Sequence, residues 1–479
     1  MATLFGETLR KSITEHNVVV THLAHMAEID RTTLQHFVSG RRTPSKEQMN
    51  KLLHAISIPA HKKKVLQESY ELTTSGPDKF RQQEKIKTII EKIAFASMVS
   101  PNVAAPPKSI PVQNIAESEE LHGPLALNNA LANIIGKEEL TVSFFMPPDF
   151  SFFYDTLFAK YMTSSTLKAT CFFPISNEVG NVMTDLEYCE SFIPFFASPK
   201  HCFQIYYMRN QSALHDTSIV PFPYFILTSR HVLLLSADMT HAILTRQESF
   251  VRLYRRKCRD ILDISTPLYT ASQLDDLVMF VPQDNPAKDV FASIENQPCF
   301  QSYLNEQTVK KYAIINTEED VALAQQYMRF IHELKKEPDL FHAFGREGLD
   351  YFVETGYIAV WPPSLSKPLD VPDRIRMLER MLHDIKNDKF HCRMVDSSKF
   401  TIPSPTVTIA VRRKTLFIQC LDYDNDNLKN ICLTEKNIVN AFEDFLSNLP
   451  NTNLVHSKEE TINAFESALK KLVHHIQNN

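Results

Sequence analysis

The chain has 479 residues with a formal net charge of −5, and 43% of them are hydrophobic. This length predicts about two to four soluble domains. The negative charge excludes a protein that coats nucleic acid along its whole surface, and nine glycines argue against a glycine-rich nucleotide-binding loop. The eight cysteines are scattered without CxxC spacing, so we expect buried free thiols in a cytoplasmic protein without a bound cofactor.

The charge is distributed unevenly along the chain. Residues 1–73 contain ten Lys and Arg against seven Asp and Glu, a balance of +3. The other 406 residues contain 41 against 49, a balance of −8. A mildly basic head on an acidic body is typical of a DNA-binding module attached to a domain that does not bind DNA.

Five short helices are predicted within residues 1–73, which form an all-α head. Asp30 is placed to cap the third helix, because its carboxylate can accept the free amide hydrogens of the first turn. Leu34 and Phe37 then face the core, and Gly40 ends this helix with a left-handed residue.

With those two apolar side chains buried, the opposite face of the third helix presents polar side chains suited to base edges in a major groove. The loop after it presents cations that can bind phosphates. The predicted DNA-binding residues are Arg31, Thr32, Thr33, Gln35, His36, Arg41, Arg42 and Lys46. The alternative is a helical bundle for protein contacts whose polar face is only solvated.

Residues 9–58 resemble the Cro/repressor-type (XRE) helix-turn-helix family of transcription regulators. The resemblance is carried by Leu23, Ala24, Ile29, Asp30, Leu34, Ser39, Gly40, Arg41, Pro44 and Ser45. Glu28 departs from the family's usual turn glycine, and Val19 and Val20 replace the polar residues that cap the first helix of the motif. The resemblance implies that two heads of a homodimer bind double-stranded DNA through the major groove of a palindromic operator.

A linker helix is predicted over residues 74–97, followed by a proline- and alanine-rich linker at 98–118. Apolar runs then alternate with helical patterns, which predicts a large α/β body with a mixed or mostly parallel sheet. Strands are predicted at residues 140–146, 167–173, 203–207, 224–227, 232–235, 390–395, 406–411 and 415–420. Helices are predicted at residues 124–136, 150–162, 186–193, 247–262, 318–335, 372–385, 435–449 and 458–476.

The body divides into a first half, residues 119–290, and a second half, residues 291–479. Both series of strands end in an amphipathic helix, which leaves open a body of two similar halves. The acidic run at 422–427 lacks the glycine and glutamate of a calcium loop, and no His/Cys spacing matches a zinc site, so no metal site is predicted. The basic run at 252–259 is predicted to be the solvated side of a helix.

Residues 224–238 are similar to the strand-turn-strand around the catalytic motif of phospholipase-D-like domains, in which His-x-Lys-x-x-x-x-Asp precedes Gly-Ser-x-Asn. When residues 236–238 are matched to the latter, the catalytic positions fall on Pro221, Pro223 and Thr228. A second register gives His231 and Asp238 the right separation, but Leu233 replaces the lysine. The resemblance therefore implies an inactive relative that serves as a ligand-sensing domain.

These observations predict a DNA-binding transcriptional regulator without catalytic residues, whose body binds a small-molecule or peptide effector or dimerises. No membrane partner is expected, because no uncharged apolar run is long enough to span a bilayer. Two alternatives stay open: an enzyme in the body tethered to a DNA-binding head, or a protein-interaction scaffold. Carboxylates or histidines that converge in a pocket with perturbed pKa values would favour the enzyme.

Overall fold

The computed structural model of the chain has two compact units, Met1–Lys85 and Ile86–Asn479. Each unit has its own apolar core. The structure describes residues 3–98, 117–136, 141–164, 166–175, 182–196, 203–209, 220–272, 291–314, 317, 318, 321, 325, 340–359, 361, 363–402, 407–412, 414–422 and 427–477.

The first unit is helical. It contains α1 (Leu4–Glu15), α2 (Val20–Met26), α3 (Arg31–Val38), α4 (Lys46–Ala55), α5 (Ala60–Ser75) and the start of α6 (Pro77–Met98). Isolated helices of these lengths are marginal in water, so their stability depends on burying one apolar face. That face supplies the core of the unit, in which Phe5, Leu9, Leu34, Phe37 and Leu52 are fully buried.

The helix ends follow the local sequence. The Asp30 side chain accepts the backbone N–H of Thr33 at 3.0 Å and caps α3, as predicted. Ser45 and Gln48 form a reciprocal capping box at the start of α4. Val19 gives α2 no side-chain cap, which is the consequence expected of its departure from the helix-turn-helix pattern.

The turn between α2 and α3 contains Glu28 where the helix-turn-helix family usually has glycine. Glu28 adopts φ +53°, in the left-handed region that costs a non-glycine residue about 1–2 kcal/mol. Its carboxylate lies 3.0 Å from Lys51 Nζ, but this pair is exposed and stabilises the turn little. Gly40 adopts φ +70°, and a Cβ on Gly6 would come within 2.5 Å of its Cα, so backbone packs directly on backbone there.

The second unit is α/β. Its further helices are α7 (Gly123–Ile135), α8 (Ser151–Thr163), α9 (Val182–Phe196), α10 (Glu248–Ile264), α11 (Glu306–Tyr312), α12 (Arg346–Thr355), α13 (Val371–Lys386), α14 (Lys436–Asn448) and α15 (Lys458–Gln477). Its strands are β1 (Ser118–His122), β2 (Thr141–Phe145), β3 (Lys168–Ile175), β4 (Phe203–Arg209), β5 (Tyr224–Leu227), β6 (Val232–Leu235), β7 (His241–Thr245), β8 (Thr266–Pro267), β9 (Tyr269–Ser272), β10 (Phe291–Glu295), β11 (Leu340–Phe344), β12 (His391–Met394), β13 (Val407–Arg412), β14 (Thr415–Asp422) and β15 (Asn427–Leu433).

The strands form two sheets, with the orders β1-β7-β6-β5-β2-β3-β4-β8 and β12-β11-β10-β13-β14-β15-β9. In each sheet three strands run parallel, β2 to β4 in the first and β10 to β12 in the second. An antiparallel run of three strands then continues from the first of them, β5 to β7 or β13 to β15. The body therefore consists of two halves with the same topology, the arrangement that the sequence left open.

Of the two sheet types that the sequence predicted, mixed or mostly parallel, the structure has the mixed one. Each sheet contains two parallel strand pairs, and its other described pairs are antiparallel. The physical reason is the length of the connections. Residues 228–231 join β5 to β6, and residues 413–414 join β13 to β14. Parallel neighbours need a crossover of a dozen or more residues, so these connections can only make hairpins.

One face of each sheet contributes to a shared apolar core with α7, α8, α9 and α14. Phe144 from β2, Ile294 from β10 and Phe442 from α14 are examples, each no more than 2% exposed. The outward face of the first sheet packs against α10, and that of the second sheet packs against α12, α13 and α15. Because side chains alternate along a strand, each strand sends every second residue to these outward faces.

All eight predicted strands are present, with ends that differ by two residues or fewer. Seven further strands were not predicted, among them β10 and β11. The predicted linker at 98–118, the predicted helix at 318–335 and the middle of the acidic run at 422–427 lie largely outside the described residues. No described helix combines the length and the apolar character needed to cross a bilayer.

Candidate functional site

The polar residues predicted to contact DNA lie on one stretch of the helical unit. The exposed members are Arg31, Thr32, Gln35, Arg41 and Arg42, and the half-buried ones are Thr33, His36 and Lys46. The His36 carbonyl accepts the backbone N–H groups of Arg41 and Arg42, which folds the cationic loop back onto the end of α3. The structure therefore brings the predicted base-contacting face and the predicted phosphate-contacting loop together.

The residues compared with a phospholipase-D-like motif do not converge. His231 is buried just before β6, whereas Asp238 lies in an exposed turn beyond its other end, about 13 Å of strand away. The Asp238 carboxylate accepts the hydroxyls of Ser236 and Thr240, and these bonds hold the pKa of Asp238 at about 2. The Thr228 hydroxyl accepts the backbone N–H of His231. These groups serve two separate turns and form no common site.

A different polar cluster is buried on the outward face of the second sheet. It consists of Ser293 and Glu295 on β10 and His342 on β11, which are 2%, 4% and 0% exposed. Ser293 and Glu295 are two residues apart and therefore share one side of the strand. The parallel register places Ser293 directly beside His342. Strand geometry alone thus brings a hydroxyl, a carboxyl and an imidazole together.

The distances around the His342 ring identify which of its nitrogens donates a hydrogen bond and which accepts one. His342 Nδ1 lies 2.7 Å from Ser293 Oγ and 3.3 Å from Glu295 Oε1, while Nε2 lies 3.1 Å from the carbonyl oxygen of Gln297. A backbone carbonyl can only accept, so the hydrogen of the neutral ring is assigned to Nε2. Nδ1 is then the acceptor, and the Ser293 hydroxyl donates to it.

Burial shifts both titratable groups towards their neutral forms. Removal from water raises the pKa of Glu295 to about 8, although a hydrogen bond from the Thr408 hydroxyl opposes this. Removal from water also lowers the pKa of His342 to about 4, against the effect of its bond to the Gln297 carbonyl. At neutral pH a carboxylic acid and a neutral imidazole therefore face each other, and not an ion pair.

The cluster is held in place from several directions. The Gln297 side chain donates to the Tyr357 carbonyl at 3.1 Å and accepts the Ala359 N–H at 2.8 Å, which fixes the segment that holds His342 Nε2. The rings of Phe344 and Phe390 have their centroids 6.4 and 6.3 Å from that of His342. Groups whose positions are fixed by such neighbours are preorganised for proton transfer.

Chemically, the cluster can transfer protons. A neutral imidazole that accepts a serine hydroxyl is the pairing that activates a nucleophile, and a carboxyl that ionises near pH 8 can exchange a proton near neutrality. Within the described ranges, no group of three or more His, Cys, Asp or Glu residues is placed to hold a metal ion. Glu295 and His342 lie close together and have perturbed pKa values, which is the chemical criterion stated above for an enzyme in the body. Both side chains are buried.

No local sequence pattern pointed to this cluster. Ser293 and His342 are 49 residues apart, and neither strand was predicted. The alternation of Ala292 and Ile294 with Ser293 and Glu295 was the available signal. It indicates a strand with one apolar and one solvated face, and so predicts the wrong environment for the polar side chains.

Comparisons with known proteins complete the description of the body. No protein-family model matches this sequence, and none of the curated proteins is similar to it in sequence. Phosphatidylserine synthase from Haemophilus influenzae Rd KW20 is a similar solved structure, with 9% identity and a TM-score of 0.23, over 75% of this chain and 94% of that one. Polyphosphate kinase from Porphyromonas gingivalis is another, with 8% identity and a TM-score of 0.22, over 74% of this chain and 56% of that one.

The prediction of a DNA-binding regulator that is not an enzyme is wrong on this finding, because both similar structures are enzymes. The XRE resemblance of the head gains no support from these structures. TM-scores this low do not assign a fold or a reaction to this chain, and the evidence for both is its own strand topology and its buried cluster.

Proposed function

We propose that the chain is an enzyme that uses Ser293 as a nucleophile and His342 as its general base, attached to a head that binds double-stranded DNA. The observation that carries the catalytic part is the 2.7 Å contact between Ser293 Oγ and a neutral Nδ1, with Nε2 held by the Gln297 carbonyl. A nucleophile, a base and a group that orients the base are the three parts that such catalysis requires.

The reaction class is transfer of an acyl or phosphoryl group. Ser293 Oγ forms a bond to the electrophilic carbon or phosphorus, and its proton passes to His342 Nδ1. The leaving group departs with that proton, and a second nucleophile such as water releases the group from the serine. Glu295, 3.3 Å from Nδ1, can offset the positive charge of the imidazolium when it ionises. The helices on the outward face cover the cluster, so this proposal requires that the layer opens to admit substrate.

The catalytic part is tested with a small alkyl fluorophosphonate on the full chain, followed by mass spectrometry of peptides. We expect time-dependent phosphonylation of Ser293 with loss of fluoride, because the reagent reports an activated serine. Ser293→Ala abolishes the label at this peptide, and His342→Gln slows it by roughly 10²–10⁴-fold.

The matched control is Ser302→Ala. Ser302 is also a buried serine of this half, 6% exposed, and its hydroxyl lies 3.0 Å from the Cys299 sulfur and not from a histidine. Its replacement leaves labelling unchanged. Folded wild-type protein that acquires no label at Ser293, or labels equally well with His342→Gln, would show that the cluster only supports the fold.

The DNA-binding part is supported by the exposed face of α3. Arg31 and Gln35 are exposed on the side opposite the buried Leu34, and such side chains pair with guanine and adenine in the major groove. Arg41 and Arg42 supply exposed cations at the end of the same helix. One head of this size makes few contacts, so two heads of a homodimer on a palindromic site are proposed.

This part is tested by selecting bound duplexes from a random pool and then comparing variants by gel shift. Arg31→Ala with Gln35→Ala costs about 1–3 kcal/mol per base contact and relaxes the selected sequence. Arg41→Ala weakens all sequences alike and lowers the salt slope by about one. Lys11→Ala, an exposed cation of α1, is the control and changes neither. Selection of no sequence, or equal binding by the α3 variant, contradicts the assignment without touching the serine proposal.

A further inference from the structure

The outward surface of α10 is the strongest unexplained feature of the body. Val251, Cys258 and Ile261 bury one side of this helix against the first sheet. Large apolar side chains nevertheless remain on the solvent side. Phe250, Leu253 and Ile264 are 42%, 55% and 64% exposed, respectively.

The exposed apolar residues form one row. Phe250, Leu253 and Ile264 lie along one side of the helix, and the exposed Lys257 and Asp260 share that side because they are four and seven residues from Leu253. An exposed, mainly basic strip lies beside this row and includes Arg252, Arg256 and Arg259, with Asp263 at its end. Over the whole helix five basic residues stand against three acidic ones, a balance of +2 in a body whose sequence is acidic.

The surface is preformed by contacts of the helix with itself and with the sheet. Arg255 donates a hydrogen bond to the Ser229 carbonyl, and Lys257 lies over the rings of Tyr254 and Phe225, 5.6 and 5.9 Å from their centroids. The apolar row and the basic strip are therefore already in place, so a partner that binds them does not have to induce the helix first.

We propose that α10 binds in the plane of an anionic phospholipid bilayer, with its apolar row in the acyl boundary and its arginines at the phosphates. Helices of this kind combine a basic polar face with exposed Phe and Leu side chains. The 17 residues of α10 make a helix about 25 Å long, which lies on the surface and does not span it. Binding in the plane of the bilayer therefore does not require an apolar segment long enough to span it.

Two other occupants fit the surface less well. The phosphate backbone of a nucleic acid would engage the arginines but leave Phe250, Leu253 and Ile264 in water. A second copy packed antiparallel can set Lys257 opposite Asp260, but it offers no phosphate to the arginines of the strip, so dimerisation is the other outcome of the test. The bilayer is the partner that accommodates both features.

The proposal is tested by co-sedimentation of the full chain with phosphatidylcholine vesicles, with and without phosphatidylglycerol. We expect binding only to the anionic vesicles, because each surface cation contributes about 1 kcal/mol there. Arg252→Gln with Arg256→Gln then weakens binding roughly thirtyfold. Phe250→Ser with Leu253→Ser weakens it at least tenfold at unchanged charge, since two apolar side chains lose their burial.

Matched controls are Lys310→Gln, an exposed cation elsewhere in the body, and Leu125→Ser, an apolar side chain that is 76% exposed on α7. Neither changes vesicle binding. The proposal is overturned if the apolar double variant binds anionic vesicles like wild type. It is also overturned if the chain without vesicles is a dimer that the apolar double variant dissociates, or if the full chain with Arg31→Ala and Gln35→Ala binds duplex DNA through the α10 arginines while vesicles are not bound. The fluorophosphonate label at Ser293 is read in the same samples and stays unchanged in every α10 variant.

Discussion

The two halves of the body share a strand order but differ on the outward face of corresponding parallel strands. At the ends of these strands the outward pair is Phe145 and Phe172 in the first half, and Glu295 and Phe344 in the second. The preceding outward pair is Ser143 and Thr170 in the first half, both half-buried, and Ser293 and His342 in the second, both buried. The aromatic pair needs only to be covered, whereas each donor and acceptor of the polar pair needs a partner once it is out of water.

This difference agrees with the proposed catalytic role of the second half. The counterpart of Glu295 in the first half is Phe145, so the shared topology does not require a buried carboxyl at this position, and the polar pair before it is fully buried only in the second half. Replacing a buried polar group of this kind by apolar residues is often neutral or stabilising. We therefore regard the cluster as a site placed on a duplicated fold, and the first half as its structural counterpart.

The largest effect is expected in the aromatic half. Phe172→Ala removes a fully buried ring and leaves a cavity, so we expect the free energy of unfolding of the body to fall by about 3–5 kcal/mol. Chemical denaturation followed by circular dichroism measures the loss. A decrease below about 1 kcal/mol would show that the outward layer of this half is not close-packed.

In the second half, a single substitution in the polar cluster is expected to lower the free energy of unfolding more than replacement of all three residues. His342→Ala leaves the Ser293 hydroxyl and the Glu295 carboxyl without their ring partner, which costs about 2–4 kcal/mol. Ser293→Ala, Glu295→Leu and His342→Phe together replace the whole polar cluster by apolar side chains, so the same denaturation recovers most of that loss while fluorophosphonate labelling disappears. A triple variant no more stable than His342→Ala would show that the outward layer of the second half does not accommodate apolar side chains at these positions.

A smaller effect concerns pH. The pKa of Glu295 is raised from 4.5 to about 8 in the folded state, so its stabilising contribution is complete below pH 4.5 and is lost as the pH rises to 8. The pKa of His342 is lowered from 6.5 to about 4, so stability is gained between pH 4 and 6.5 and is constant above. The two trends oppose each other up to pH 6.5, and above it only the loss from Glu295 remains.

Between pH 6.5 and 8 we therefore expect the free energy of unfolding to fall by about 2 kcal/mol, since one pKa unit corresponds to about 1.4 kcal/mol. Denaturant titrations of wild type and of Glu295→Gln at both pH values measure this. The difference between the two pH values is expected to vanish in the variant, because the amide does not titrate. An unchanged difference would mean that Glu295 is ionised throughout.

Much of the head could be predicted from the sequence. Asp30 and Ser45 cap helices, and Gly40 adopts a left-handed conformation, because each of these effects depends on atoms within a few residues. Glu28, which departs from the turn glycine of the helix-turn-helix family, adopts a left-handed conformation. In the body, the apolar runs predicted eight strands, but β10 and β11 carry polar residues on one face and were missed.

The sequence by itself determined the local structure: helix ends, the faces of amphipathic helices and the strands that are apolar along their length. These follow from hydrogen bonds and side-chain spacing over a few residues. Only the tertiary structure decided that Ser293, Glu295 and His342 share one dry compartment with altered protonation. That outcome depends on a register between strands 49 residues apart and on the helices that cover the sheet, and no local pattern encodes either.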